Sequence, residues 1–309
     1  MIKIYPLLAT LLLVSALSAQ TPSDLFFVPA GNICAGAGYS YNSWNQYWEG
    51  EFLRSNGNVG TVSRQQFMAG FNLGLLDRLN LIVQVPYVKT QASQGTLNGQ
   101  NGFQDISLNL KGKYLETKAG PGTLRVGGNL GFSTPLTPYL VDLSPINLGA
   151  GTTNLSYRQI LAYQLDKGFY TCAKANYTYR SNIPNIHREF YFDQGNAYYT
   201  NEVQVKDVFD WTVGLGYSNW QVLAEVDFNS YNTLGGSDIR TWDPGFPSNN
   251  VDMSTVTGRF DYYLTDHGGL SFSATGGLAI KGRNAGKSVF GTISAYYQFP
   301  VWGKRNSMN

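Results

Sequence analysis

Charge is what this sequence has least of. Lysine, arginine, aspartate and glutamate make up 14% of its 309 residues, against roughly 25% in a typical soluble domain. The net charge is +2 and the cations are not clustered. Tracking a phosphate backbone takes grouped Lys and Arg, so no nucleic-acid partner is expected. Histidine and cysteine are equally scarce, with two of each. His187 falls in a long connection and His267 in a short turn. Neither sits in a His-x-Ser strand pattern, and no His/Cys spacing suits a metal. On this inventory no enzyme activity, no metal and no cofactor is expected. Glycine-rich stretches such as "GGNLG" lie within strands rather than between a strand and a helix, which removes the phosphate-loop reading.

Long apolar runs are also missing once the first twenty residues are passed. That opening, "MIKIYPLLATLLLVSALSAQ", has a lone Lys3, an apolar run from Leu7 to Val14, and small residues at Ser15, Ala16, Ser18 and Ala19. This is the order of a secretory signal peptide, with cleavage after Ser18 or after Ala19 both fitting. The run is short of the ~20 residues a spanning helix needs, and no Cys marks a lipid anchor. The mature chain is then either soluble and exported or a β-barrel of the bacterial outer membrane.

What is present in quantity is alternation. Period-2 segments occur at 33–44, 61–74, 79–89, 103–115, 122–134, 153–165, 169–180, 205–217, 220–231, 253–264, 269–281 and 287–299. No window holds a helical period. Strands this long exceed the usual five or six residues and match the ~9–11 residues that cross a hydrocarbon core at a tilt. The connections alternate short and long. Short ones are 75–78, 116–121, 166–168, 218–219 and 265–268; long ones lie near 45–60, 90–102, 135–152, 181–204 and 232–252, with a modest one at 282–286. Outer-membrane barrels keep this parity, with short periplasmic turns and long outer loops, and a soluble sandwich has no reason to.

The faces agree. In 253–264, Val256, Phe260, Tyr262 and Leu264 oppose Thr257, Arg259, Asp261 and Tyr263. Aromatics gather at strand ends (Tyr39, Tyr41, Trp44, Tyr87, Tyr114, Phe132, Phe169, Tyr177, Tyr179, Trp220, Phe228), where rings with one wet end belong at the membrane interfaces. The expected architecture is all-β, a membrane-spanning antiparallel up-and-down barrel of about twelve strands over residues 33–299. A signal peptide (1–19) and a periplasmic segment (20–32) that can serve as a plug precede it, and a periplasmic tail (300–309) follows. Outer-membrane lipid is its expected partner. Cys34 and Cys172 fall on the first and seventh strands, nearly opposite in such a ring, and a disulfide needs Cα atoms within ~7 Å. Both are expected as free, buried thiols.

One strand poses a question. In "LLDRLNLIVQVPYV", Asn80, Ile82, Gln84, Pro86 and Val88 share the inner face, and a proline cannot donate to a ladder. It is tolerable near the outer rim, where lumen water or a bulge satisfies the neighbouring carbonyl. At these residues the chain resembles the MetA-pathway phenol degradation family of outer-membrane proteins, loosely related to the long-chain fatty-acid transporter barrels. The matching residues are Asp77, Arg78 and Leu79, then Pro86 and Tyr87, then Gly102, Phe103 and Asp105. The match covers about 40 residues. The resemblance implies a barrel, and through the family label a transporter-like uptake of small hydrophobic or aromatic compounds.

The inner faces carry the candidate lumen lining: Lys111, Lys113, Arg125, Arg158, Lys174 and Arg180 on one wall, and Asp210, Glu225, Asp227, Arg259 and Asp261 on the other. A basic half facing an acidic half would set a transverse field across a narrow conduit. The alternative is an interior network in which these charges pair, since unpaired buried charges are costly. The outer connections supply a candidate aromatic mouth: Trp44, Tyr47, Trp48, Phe190, Tyr191, Phe192, Tyr198, Tyr199, Trp242 and Phe246, with Asp193 to Asn196 turning a hairpin. These rings either converge on an apolar ligand or pack on one another to cover the barrel. So the functional alternatives are a narrow channel for small hydrophobic or aromatic solutes and a closed structural or surface-interaction barrel.

Overall fold

The structure is a computed structural model that describes residues 21–302, apart from 187–188, 241–244 and 265–268. Twelve long strands make one antiparallel sheet: β1 (Asn32–Trp44), β2 (Val62–Leu76), β3 (Leu79–Ala92), β4 (Asp105–Ala119), β5 (Gly122–Pro135), β6 (Asn154–Leu165), β7 (Phe169–Arg180), β8 (Val208–Ser218), β9 (Val222–Thr233), β10 (Asp252–Tyr263), β11 (Gly269–Arg283) and β12 (Val289–Pro300). Each pairs with its neighbour in sequence. β12 then pairs back onto β1, from Asn32↔Pro300 to Ser43↔Val289, and the sheet closes with no free edge.

The alternation read from the sequence sorts the two surfaces. Outward positions are large and apolar: Leu215 is 69% exposed, Ile293 65%, Val289 63% and Val226 60%. An exterior band of this kind is stable only against lipid. Inward positions hold the polar and charged residues. The expected turn at 116–121 is corrected: β4 runs on to Ala119, which pairs with Gly122, and only Gly120 and Pro121 turn the chain. The cause is a bulge between Lys113 and Leu115. One extra residue at Tyr114 reverses the alternation, so Glu116 is carried onto the inner face opposite Arg125 and the strand's second half no longer scans with its first. The turn expected at 265–268, the tail beyond 302 and the signal segment lie outside the described residues.

Pro86 is accommodated by a break in its neighbour. β3 pairs with β4 only up to Gln84↔Ser107, and above that with a separate short piece, Asn101–Phe103. Gln104 lies in the gap and donates its N–H to the Pro86 carbonyl at 3.0 Å. In an antiparallel ladder a residue's N–H and C=O point the same way, so the donor that proline lacks would have faced this gap. The Gln104 carbonyl instead accepts from the Leu136 N–H at 2.9 Å. The expected position near the outer rim is corrected: the strand runs on to Ala92, so Pro86 stands in its middle, and the satisfying group is a protein N–H. Because no ladder bond is missing, Pro86→Ala should change the free energy of urea unfolding in micelles by no more than about 0.5 kcal/mol. A clear stabilisation would mean that the proline is what keeps the gap open.

At the loop end the long connections fold on themselves. Residues 46–49 pair with 52–55, and 191–193 with 196–198. The second hairpin turns through Gln194 and Gly195, both at positive φ (51° and 81°), the geometry that suits a two-residue hairpin turn. Val141, Ile183, Ile186, Tyr191, Val203, Val205 and Phe246 form a buried cluster joining three of these loops. At the opposite, short-turn end, residues 21–31 lie inside the barrel. Gly74 has room for no side chain, because a Cβ there would sit 2.0 Å from the Pro29 carbonyl oxygen. The Gly31 N–H bonds the Gly74 carbonyl at 2.9 Å, anchoring the segment where it enters β1.

Candidate functional site: the lumen and its vestibule

The lower lumen is organised around Asp24. Lys111, on β4, has no exposed side-chain surface. Its Nζ donates to Asp24 Oδ1 at 2.8 Å, to the Thr21 carbonyl at 2.9 Å and to the Phe26 carbonyl at 2.7 Å. From the far side Arg259, on β10, reaches Asp24 Oδ2 at 3.4 Å while holding Asp261 at 2.6 Å. β4 and β10 are six strands apart in a ring of twelve, so one carboxylate of the N-terminal segment bridges opposite walls. Phe27 lies under both Lys111 and Lys113, at 5.0 and 5.6 Å, and Phe26 packs on Leu223 and Tyr263. Burial raises the Asp24 carboxyl, but Lys111 and Arg259 more than offset it and hold the group below the ordinary aspartate value.

Three further groups pair the remaining charges. Lys174 on β7 bonds Glu225 and Asp227 on β9, both at 3.1 Å, and Tyr170 donates to Glu225 at 2.6 Å. The strand between them is stripped to allow it: a Cβ on Gly214 would lie 1.9 Å from Asp227 Oδ1. Arg158 meets Asp210 at 3.2 Å, and Asn176 donates to the same carboxylate at 2.7 Å. Arg125 bonds Glu116 at 2.8 Å, with Lys113 on the other oxygen of that carboxylate. So ten of the eleven lumen residues expected from the sequence enter ion pairs, joined by Asp24 and Glu116, which the strand pattern did not mark. Arg180 is the exception among them. It stands at the loop end and donates through Nε to the Lys206 carbonyl at 2.6 Å. The walls are therefore stitched together rather than opposed across open water. Cys34 and Cys172 are buried and unbonded to each other.

Above these pairs the strand tops and loops enclose a vestibule of about 1020 Å³. Of the expected mouth aromatics, Trp44, Tyr47 and Phe246 line it. The others do not converge there. Trp48 is packed against Gly282, and Tyr191 is stacked on Tyr198 at 5.2 Å within the loop cluster. Phe190, Phe192 and Tyr199 make an exposed group, with Tyr199 85% exposed. Trp242 lies outside the described residues.

No family model and no curated protein matches this sequence. Among solved structures the chain is similar to the COG4313 outer membrane channel from Pseudomonas putida F1, with a TM-score of 0.73 at 13% identity, covering 91% of this chain and 100% of that one. The NanC porin gives 0.45 at 11% identity, over 86% of this chain and 98% of that one. The TodX monoaromatic hydrocarbon channel gives 0.40 at 11%, over 90% and 93%. The first of these places the chain in the fold of outer-membrane barrels.

Proposed function

We propose that this protein is a narrow outer-membrane channel for small, hydrophobic or aromatic compounds, reached after signal-peptide cleavage, with its short turns in the periplasm. The observation that carries this is the vestibule of about 1020 Å³, framed by strand tops and loops above a closed barrel. A barrel that only anchored surface loops would have no need of a cavity the size of a small-molecule site. The likeness in fold to a protein described as an outer membrane channel supports the reading. So do Asp77, Arg78, Leu79, Pro86, Tyr87, Gly102, Phe103 and Asp105, which resemble the MetA-pathway phenol degradation family. In this reading residues 21–31 are the plug, and Asp24 is the bond that seats it.

Refolded full-length protein in a planar bilayer should show small, steady openings that aromatic solutes modulate. Heat-shifted gel mobility identifies folded barrels. Silence from a folded barrel under every solute would overturn the channel and leave a closed barrel that works through its loops.

A further inference from the structure

We propose that the vestibule binds an organic anion: a carboxylate on a small aromatic or aliphatic body. The inference deepens the channel reading by naming the charge of what enters, and it rests on that reading only for the anion's onward passage.

The charged lining is one-sided. Among the described residues, Arg54, Arg64 and Arg180 face the cavity with a single carboxylate, Glu49, which is paired with Arg54 at 2.5 Å; Arg240 also lines it, beside Asp238. Arg64 and Arg180 spend their hydrogen bonds on neutral groups: Arg64 on the side-chain oxygen of Gln104 at 2.7 Å, Arg180 on a backbone carbonyl at 2.6 Å. The nearby acids are shared with other donors: Asp105 faces Arg64 and Asp238 faces Arg240, but each has a closer partner. Asp105 accepts from the Tyr139 hydroxyl, Asp207 from the Arg180 backbone N–H and the Tyr177 hydroxyl, and Asp238 is clasped by Arg283 at 2.7 and 2.8 Å. The guanidinium fork matches a carboxylate geometrically, and these cations come from different sides, β2 and β7.

The rest of the wall suits an apolar body. Trp44, Tyr231 and Phe246 line the same space, and Phe246 is fixed from behind by Tyr191 at 5.5 Å. A ring or short alkyl chain can pack there while its carboxylate meets an arginine. A neutral analogue of the same shape keeps the packing and loses the charge-assisted bonds.

The test is calorimetric titration of refolded full-length protein in detergent with benzoate and, separately, benzyl alcohol. Benzoate should bind at least about tenfold more tightly, the worth of one charge-assisted bond. Arg64→Gln and Arg180→Gln should each weaken benzoate by about tenfold and leave benzyl alcohol unchanged. Arg180→Lys should fall between, because it keeps the charge without the fork. Equal binding of the two solutes, no binding of either, or indifference of benzoate to both Gln substitutions would overturn the proposal. Benzoate binding to a barrel that never conducts would sink the channel and keep the site; conduction without discrimination would do the reverse.

Discussion

Asp24→Asn should raise single-channel conductance sharply while leaving the barrel folded. Among the described residues, the substitution removes the carboxylate that pairs with Lys111 and one of those that pair with Arg259. Breaking a buried pair from one side costs about 3–5 kcal/mol. The β-ladder cannot relieve that cost, but the N-terminal segment can, by leaving the lumen so that water reaches the Lys111 ammonium. At about 1.4 kcal/mol per factor of ten, a penalty of that size shifts the seated-to-released ratio by more than a hundredfold. Release would pivot at Gly31, whose carbonyl accepts the Val301 N–H at 2.8 Å and whose φ is +78°. Adding Lys111→Met to Asp24→Asn removes the stranded charge, and the double variant should return toward wild-type conductance. Wild-type openings from Asp24→Asn would show that this carboxylate does not seat the segment.

The pH dependence follows from the same groups. Asp24 faces Lys111 and Arg259, and Arg259 also faces Asp261. Its carboxyl is held below the ordinary value, so the carboxylate's contribution to seating is complete above the unfolded aspartate pKa of about 3.9. It is lost only as pH falls through the lower folded value. Conductance should therefore be flat from neutral to mildly acid pH and rise only in strong acid.

Much of the barrel is legible in the sequence because each strand has a lipid face and a lumen face, and the period-2 signal follows directly. Phe169–Arg180 is recovered to the residue. The lumen charges are legible for the same reason, Glu225 and Asp227 alternating with Val226. What the pattern misses is what joins the walls. Asp24 lies in a segment with no periodicity, and its partners are 87 and 235 residues away. Glu116 is hidden by the bulge that reverses its face. Opposed walls of unlike charge suggested a field across water because the intervening glycine, Gly214, could not be seen to let Lys174 reach over β8. The loops are least legible. Phe246 and Phe192 look alike in sequence, yet one lines the vestibule and the other is exposed, because loop packing depends on contacts far apart in the chain.

Whether the lumen charges serve passage or stability can be decided at Lys174. Lys174→Met should lower unfolding stability in micelles by about 3–5 kcal/mol, since it strands Glu225 and Asp227 in a site where both are largely buried. The Tyr170 hydroxyl still donates to Glu225, but Asp227 loses its cation outright. Replacing the whole group, Lys174→Met with Glu225→Gln and Asp227→Asn, should recover most of the loss, because a buried network exchanged for neutral groups of similar volume is often close to neutral. The exposed pair Lys118–Asp166, with both side chains more than half exposed, sets the baseline: Lys118→Ala should cost under about 1 kcal/mol. The two roles then separate by readout. A structural network moves the urea midpoint and leaves ion selectivity alone. A constriction does the opposite, and if Lys174→Met changed selectivity at unchanged stability, the paired lumen charges would have to be part of the conducting path.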